Sequence, residues 1–471
     1  MLSSMKKKLS NKVIFGYAIG QLGDAMVYCM LVSYLAYFLT GPAGVAAGPA
    51  GTMSSVGLFV SAGAALVVGY LSDNCKNPNG RRRPFIKVAI PVLLVAMILL
   101  FSDFGFSGTT AILYYGTLVM ILWCAYTMWF VPYTALGAEI TEDYDERLNL
   151  RNRAAIFTQS GNFIGGAVPM ALVGLLAACG LGESMSWTVM AAILVVASCI
   201  IFAITIKATK GHELIIDVSK NRTNIVKDTF EIVKAKPTKW LIGAILCYII
   251  INTIYASNLS FVVTYYSGLP ASIVSIVSGA GMLIALVLVP LIGTVANKMD
   301  KRKAYVIFFV AAAVWLFVFR FIFDLFEPSI PLIILLGAGV MIAMAAYWQL
   351  IAALSYDLVE VVEINCGRRL EGALASLQTV LQQVAGSIGM LIWGWVLAFG
   401  GFDATAAAQT DSALDSILSL STIVPGIGIL LSAVFIIAYP ISREKFLLVQ
   451  KALEDKKKTG EYSREGLERI L

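Results

Sequence analysis

The stretch Gly69-Tyr-Leu-Ser-Asp73, followed by Gly80-Arg-Arg-Arg83, decides the fold because a similar stretch occurs again later in the chain. The second copy reads Gly293-Thr-Val-Ala-Asn297 and is followed by Lys301-Arg-Lys303. In both copies the glycine allows close helix packing, the Asp or Asn can cap a helix end, and the basic residues can bind lipid phosphates. Two copies at equivalent places predict a duplicated protein with two similar halves.

The sequence around both copies is strongly apolar. Of the 471 residues, 59% are hydrophobic and 14% are charged, and the mean hydropathy is +0.82. A soluble domain carries roughly 25% charged residues. A helix that crosses ~30 Å of hydrocarbon needs about 20 apolar residues. Twelve such spans are predicted, at residues 12-40, 51-73, 84-103, 111-138, 148-179, 185-208, 238-266, 271-296, 304-325, 331-356, 371-400 and 414-441.

These spans predict an all-α integral membrane protein, with twelve transmembrane helices in two six-helix halves. The expected order is an N-terminal half at 1-208, a cytoplasmic amphipathic linker at 209-237, a C-terminal half at 238-441 and a cytoplasmic tail at 442-471. Each copy of the repeated stretch then lies at the end of the second span of its half. Such a duplication is typical of transporters, whose binding site lies between the halves near the membrane midplane.

Basic residues predict the orientation of the spans. Of the 35 lysines and arginines, 34 fall on one side of the predicted bundle. Basic residues accumulate in cytoplasmic loops, so both termini are expected in the cytoplasm and the protein in the plasma membrane. The exception is Arg320, near the outer end of span 9, which we expect to snorkel to lipid headgroups. The net charge of +6 then reflects topology and does not indicate nucleic-acid binding.

Asp24 is the only carboxylate set deep inside any predicted span. It lies twelve residues after Lys12, or about 18 Å along a helix. Together with Tyr17, Gln21 and Tyr28 it is expected to face an interior cavity. A charge in hydrocarbon is costly and usually marks a transport pathway, so we interpret Asp24 as a residue that binds substrate hydroxyls or takes a coupling proton. The alternative is a structural carboxylate satisfied by Arg153 or by nearby hydroxyl groups.

Several further stretches carry a resemblance to a known family. Together with the repeat, the chain resembles the glycoside-pentoside-hexuronide:cation symporter family (melibiose permease-like) of the major facilitator superfamily. The stretches are Gly16-Tyr-Ala-Ile-Gly-Gln-Leu-Gly-Asp24, Arg81-Arg-Arg-Pro-Phe85, Val131-Pro-Tyr-Thr-Ala-Leu136, Tyr356-Asp-Leu-Val-Glu-Val-Val-Glu363 and Gly367-Arg-Arg-Leu-Glu-Gly372. The resemblance implies a secondary active transporter that moves a sugar or glycoside by alternating access, driven by a cation.

The resemblance also places candidate substrate-binding residues. Tyr126 and Trp348 fall where the family has aromatic residues that face sugar, and Arg153, or Arg151 after a small slip, falls near an arginine in span 5. Polar residues of spans 7 and 11 would suit a ligand rich in hydroxyl groups. The predicted substrate-binding residues are Asp24, Tyr28, Tyr126, Arg153, Asn258, Trp348 and Gln383.

The chain departs from the family at the cation site. The paired carboxylate positions of span 2 read Ser61 and Ala65, and the span-4 carboxylate position reads Phe130. Gln383 replaces a lysine, and Asp24 lies one residue before the family's sugar-binding aspartate. Alanine cannot ligate a hard cation. We therefore expect proton coupling or weak coupling, with Asp24 as the proton candidate. The alternatives are a facilitator independent of cations and a transporter of an amphiphile, such as a lysolipid, glucuronide or steroid-like conjugate.

A network of charges is predicted on the inner side, and no catalytic cluster is predicted anywhere. The network residues are Asp73, Arg81, Arg82, Arg147, Asp357, Glu360 and Arg368. The single histidine, His212, lies in the linker, and the seven cysteines are scattered. Catalysis within a membrane needs a nucleophile with a base, or a set of metal ligands. We expect that the protein is not an enzyme and holds no metal or cofactor. It is expected to act as a monomer in the lipid bilayer on a small-molecule substrate. A non-transporting receptor is the other alternative.

Overall fold

A computed structural model describes residues 9–73, 75, 77, 80–140, 144–211, 225–367, 370–406, 408–459, 467–468 and 470. All regular structure in these residues is helical. Twelve helical segments are long and apolar enough to cross a membrane, as predicted. Hydrocarbon leaves no partner for a free backbone N–H or C=O, so a long apolar segment forms a helix.

The twelve spans follow the predicted boundaries within a few residues, except that span 10 extends further, to Cys366. The first six are Asn11–Ala18 with Gly20–Thr40, Ala47–Asp73, Arg83–Leu100, Gly108–Glu139, Tyr144–Ala178 and Glu183–Ala208. The last six are Thr238–Phe261 with the π-helical turn Val262–Tyr266, Ile273–Lys298, Lys301–Leu325, Ile330–Cys366, Glu371–Phe399, and Asp411–Ser419 with Ile423–Ala438. Two further helices lie outside the spans, Ile225–Lys234 and Arg443–Thr459.

The two halves meet through three pairs of spans. Span 1 packs on span 7, span 2 on span 11, and span 5 on span 8. In a duplicated protein span 7 is equivalent to span 1, span 8 to span 2 and span 11 to span 5. The pairs 2 with 11 and 5 with 8 are therefore the same contact repeated, and the interface follows the duplication predicted from the sequence.

The closest contacts between the halves lie on the side opposite the termini, which we call the far side; the other is the terminus side. Span 2 approaches span 11 so closely that a Cβ atom on Gly51 would lie 2.6 Å from the Cα of Gly394. Nearby, the hydroxyl oxygens of Ser55 and Ser387 are 2.9 Å apart. Small residues permit such contact between transmembrane helices. These contacts close the far side of the bundle.

Span 2 moves away from span 11 toward the terminus side. A Cβ atom on Gly63 would have no other atom within 4 Å. Beyond it, Leu66 is 63% exposed and Tyr70 is 70% exposed. From this loss of contact between spans 2 and 11 we infer a gap between the halves that opens toward the terminus side.

Arg320 differs from its predicted role. Its guanidinium group donates to Asp324 at 2.5 Å and to Asp415, at the start of span 12, at 2.6 Å. The side chain lies at the far-side end of span 9, where two carboxylates bind it, whereas lipid headgroups were expected. The reason is that span 12 begins beside this turn and brings Asp415 within reach, which the sequence of span 9 alone cannot reveal.

Part of the predicted linker is an amphipathic helix. Helix Ile225–Lys234 packs on spans 7, 10 and 11 of the C-terminal half. Ile232 is buried against this half, whereas Phe230 and Val233 are exposed. An exposed apolar face on an amphipathic helix suits the membrane surface. His212 lies outside the described residues.

Candidate functional site

The candidate site lies at mid-depth of the bundle, on both walls of the gap. Leu58 of span 2 lies next to Gly386 of span 11. A Cβ atom added to Gly386 would be 3.6 Å from a methyl carbon of Leu58. Three residues further toward the terminus side, Ser61 and Gln383 share one level. Ser61 is in turn 2.7 Å from Thr127 of span 4, measured between hydroxyl oxygens. Spans 2, 4 and 11 are thereby aligned at this depth.

Asp24 lies at the same depth, inside the N-terminal half. The residue is 5% exposed, and its carboxylate accepts a hydrogen bond from the indole nitrogen of Trp129 at 3.2 Å. The hydroxyl of Tyr126 lies beside the same carboxylate. Trp129 is held in turn by stacking on Phe202, with ring centroids 3.6 Å apart. Asp24 is thus fixed against span 4 by two aromatic side chains.

The structure corrects the expected direction of the face that carries Asp24. Of the four residues expected to face the cavity together, only Tyr28 is well exposed, at 42%. Tyr17 stacks on Tyr133 of span 4, and Gln21 accepts a hydrogen bond from Thr158 of span 5. Asp24 is buried. Spans 4 and 5 both pack against this part of span 1 and cover some of its side chains. Residues on one face of span 1 therefore differ in how exposed they are.

Arg153 is placed away from the level of Asp24. Gly161 of span 5 packs against Leu22 of span 1, and Arg153 precedes it by eight residues. Eight residues correspond to about 12 Å along a helix, toward the terminus side. The half-buried Arg153 side chain therefore lies nearer the mouth of the gap. The side chain of Arg151 lies outside the described residues.

The N-terminal wall of the gap is aromatic. The ring of Tyr28 lies 5.9 Å from Tyr126 and 6.0 Å from Trp123, and Tyr126 stacks on Phe130 at 5.8 Å. The buried indole nitrogen of Trp123 has no hydrogen-bond partner within the described part of the chain. Sequence reasoning missed Trp123. The spacing of 123, 126 and 130 along span 4 could have revealed it, because residues three and four apart share a helix face.

The C-terminal wall carries Trp348 and Gln383. Trp348 is 53% exposed and packs its edge against Tyr347, with ring centroids 5.3 Å apart. Span 10 packs on spans 8 and 9 and touches spans 7 and 11, which leaves the stripe of Trp348 and Tyr356 facing the gap. The amide oxygen of Gln383 is buried and, among the described residues, has no hydrogen-bond partner. The C-terminal wall therefore holds an exposed aromatic ring and an unsatisfied amide oxygen, whereas the unsatisfied nitrogen of Trp123 lies inside the N-terminal half.

Asn258 does not belong to this site. Its amide nitrogen donates to the carbonyl of Ile417 at 2.7 Å and to Ser421 at 2.8 Å, and its oxygen accepts from Trp393 at 3.3 Å. The residue is fully buried. A satisfied amide on the far side of span 7 ties spans 7, 11 and 12 together, so the prediction that Asn258 binds substrate is corrected to a structural role.

Ser61, at one of the positions where the resemblance implies a cation-binding carboxylate, pairs with the hydroxyl group of Thr127. Ser61 and Thr127 are hydrogen-bonded to each other and buried, and Thr127 also donates to the carbonyl of Trp123 at 2.9 Å. The searched, described part of the chain contains no group of three or more His, Cys, Asp or Glu residues that could hold a metal ion. The two hydroxyl groups meet their hydrogen-bonding needs through each other and the Trp123 carbonyl, and neither carries a charge.

The predicted inner network is described only in part. Asp357 accepts two hydrogen bonds from the ammonium group of Lys301, at 2.8 and 3.0 Å, and Arg82 donates to Ser72 at 2.6 Å. Lys301 and Arg82 belong to the two copies of the repeated stretch, so each copy anchors helix ends within its own half. Arg81 and Glu360 are half-buried. Arg368 and the side chains of Asp73 and Arg147 lie outside the described residues.

Comparison with known proteins gives matches across nearly the whole chain. The family described as MFS/sugar transport protein matches residues 16–443. A Bacillus subtilis protein named uncharacterized symporter YnaJ is 26% identical over 97% of this chain and 98% of its own length. The glucuronide carrier protein homolog of Escherichia coli is 25% identical over 96% of this chain and 98% of its own. The isoprimeverose transporter of Lactiplantibacillus pentosus is 24% identical over 91% of this chain and 88% of its own length.

Solved structures show the same fold. The crystal structure of a D-xylose-proton symporter has a TM-score of 0.65 with 14% sequence identity and covers 91% of this chain and 97% of its own. Twelve apolar helices make this a multi-pass membrane protein. By the match to the family over residues 16–443, the chain belongs to the glycoside-pentoside-hexuronide:cation symporters of the major facilitator superfamily, a family of secondary transporters and not of enzymes.

Proposed function

We propose that the protein moves a sugar or glycoside across the plasma membrane by alternating access, coupled to protons. One observation carries the substrate class: exposed aromatic rings lie on both walls of the gap, Tyr28 on the N-terminal wall and Trp348 on the C-terminal wall. Trp348 and Tyr28 offer faces for the apolar side of a pyranose, and the amide of Gln383, whose oxygen has no partner among the described residues, suits its hydroxyl groups. The names of the glucuronide carrier homolog and the isoprimeverose transporter support this class.

The proposed coupling ion is the proton. Asp24 is the only deep carboxylate in the sequence, and Ser61, Ala65 and Phe130 stand at the positions of the carboxylates that sodium would need. With both termini in the cytoplasm, as the distribution of basic residues favours, the structure is open to the cytoplasm and closed outside. We further propose that a monomer in the bilayer is the functional unit, because each half packs its site against the other half of the same chain.

Uptake by purified protein in liposomes tests this function. Labelled glucuronides, pentosides and hexoses would be offered under an inward proton gradient, with sodium present or replaced by choline. We expect accumulation that follows the proton gradient and is indifferent to sodium. Strict sodium dependence would contradict proton coupling. Failure of every sugar under every gradient would contradict the substrate class. Labelled lysolipid and steroid conjugates would be offered in the same assay to test the alternative of an amphiphilic substrate. Phe130 motivates this alternative, because it adds apolar surface beside Tyr126.

Replacement of Gln383 by leucine tests the C-terminal wall. We expect apparent substrate affinity to fall by up to about tenfold, because a net hydrogen bond contributes about 1 kcal/mol. Binding would be measured by the quenching of tryptophan fluorescence and by the concentration dependence of uptake. Gln378→Leu is the matched control, since its amide donates to Ser355 within the same half. Equal losses of affinity in both variants would show that Gln383 acts only in helix packing.

A further inference from the structure

A cavity of about 520 Å³ lies outside the gap, on the terminus side of the C-terminal half. It is formed where spans 7 and 9 begin, where span 12 ends and where the tail passes. Four basic side chains line it, and Glu468 is the only acidic residue of its lining: the basic residues are Lys236, Lys239, Arg302 and Lys445. The cavity therefore carries an excess of positive charge at the level of the membrane surface.

Three helices add to this charge because they begin at the cavity. They are Thr238–Phe261, Lys301–Leu325 and Arg443–Thr459. The N-terminal end of a helix carries a partial positive charge and favours anions. Asp300 already serves two of these ends, since its carboxylate accepts from the backbone nitrogens of Arg302 at 2.9 Å and Arg443 at 3.1 Å. Four basic side chains and three helix starts thus lie near two carboxylates, Asp300 and Glu468, so the positive charge of the cavity remains in excess.

The basic side chains differ in what they contact. Arg302 donates to the carbonyl of Tyr439 at 2.7 Å, and Lys236 donates to the carbonyl of Glu468 at 2.9 Å. Lys239 lies over the ring of Trp240, 5.0 Å from its centroid. In the described part of the chain, neither Lys239 nor Lys445 forms an ion pair with a carboxylate. These two ammonium groups can accept an anionic ligand while the other two hold the wall together.

The cavity continues into an apolar stripe on the outside of span 12. Ile437, which lines the cavity, is 58% exposed, and Val434 and Leu431 are 57% and 48% exposed further along the span. Exposed apolar side chains on a membrane span contact lipid chains. A ligand with an anionic head and an acyl chain fits both parts, whereas a free anion would use only the first.

We propose that this cavity binds the phosphate headgroup of an anionic phospholipid. Lys239 and Lys445 pair with the phosphate, and the acyl chains lie along Leu431, Val434 and Ile437. Basic pockets between spans at the cytoplasmic surface suit such headgroups. A bound lipid links the starts of spans 7 and 9 to the end of span 12 and to the tail at Glu468.

The proposal is tested by titrating the full-length protein in detergent and counting bound lipids by native mass spectrometry. Phosphatidylglycerol, phosphatidylcholine and inorganic phosphate are the three probes. The variant Lys239→Gln with Lys445→Gln is compared with Lys207→Gln with Lys298→Gln, which removes the same charge from exposed sites outside this cavity. We expect about 30-fold weaker binding of phosphatidylglycerol in the first variant, about fivefold per lysine, and no change in the control.

Equal affinities in the two variants would overturn the proposal, and so would phosphatidylcholine binding as tightly as phosphatidylglycerol. Inorganic phosphate binding as tightly as phosphatidylglycerol would assign the cavity to a free anion and overturn the lipid. A second measurement uses the unchanged protein and does not depend on the folding of a variant. Phosphatidylglycerol is expected to slow acylation of Lys445 by an amine reagent but not that of Lys298. If phosphatidylglycerol changed the acylation rates of Lys445 and Lys298 by the same factor, the proposal would be contradicted.

Discussion

Replacement of Asp24 by asparagine is expected to abolish proton-driven accumulation while substrate exchange continues. Asparagine keeps the size of the side chain and an oxygen that can accept the hydrogen bond from Trp129, but it cannot take up and release a proton. A pH difference of one unit can drive about a tenfold accumulation per coupled proton, since tenfold corresponds to about 1.4 kcal/mol. In the variant the ratio of inside to outside substrate is expected to stay near one. Proteoliposomes that measure accumulation and exchange in parallel distinguish the two activities.

Trp129→Phe is the control for a purely structural effect. It removes the indole donor to Asp24 but keeps the carboxyl group and most of the stacking on Phe202. We expect this variant to accumulate substrate at a lower rate. If Asp24 is only a packing residue, exchange should fall together with accumulation in Asp24→Asn, and both variants should lose thermal stability. Undiminished accumulation by Asp24→Asn would remove the residue from the coupling mechanism.

The helices of this fold could be predicted from the sequence because the bilayer permits few alternatives. Apolar length alone gave twelve spans, and the repeat gave two halves. The pairing of spans 2 and 11 could not be predicted in the same way. The glycines at 48, 51 and 394 indicate close packing somewhere, but a small-residue pattern does not specify its partner. The pairing depends on how all six helices of each half are arranged.

The sequence indicates which residue types the candidate site contains better than it indicates how their side chains are arranged. Tyr28, Trp348 and Gln383 line the gap, but Asp24 is buried behind Tyr126 and Trp129. Helical periodicity gives the direction of a side chain relative to its own helix and says nothing about which neighbour covers it. The amide of Asn258 illustrates the same limit, since an amide that could bind a ligand can equally join helices. Only the positions of Ile417 and Ser421 decide between these roles.

A disulfide between spans 2 and 11 is expected to stop transport completely and reversibly. The hydroxyl oxygens of Ser55 and Ser387 are 2.9 Å apart across the two halves, which suits a disulfide after replacement of both residues by cysteine. Alternating access requires the halves to separate on the far side, where this pair lies. The oxidised double variant should therefore transport at the rate of protein-free liposomes, and a reductant should restore its activity. Transport before and after reduction, with the crosslink followed by mass spectrometry, measures this.

The matched control is a disulfide that lies on the same side but within one half. Ser102→Cys with Thr188→Cys joins two hydroxyl positions 3.2 Å apart in the N-terminal half. Since each half moves largely as a rigid body in such transporters, this crosslink should leave transport close to its normal rate. The single variants Ser55→Cys and Ser387→Cys should also be unaffected by oxidation. Normal transport through the fully crosslinked Ser55 and Ser387 variant would mean that the far side does not open between these two spans, and the proposed rocking of the halves would have to be replaced by movement at another contact, such as that of spans 5 and 8.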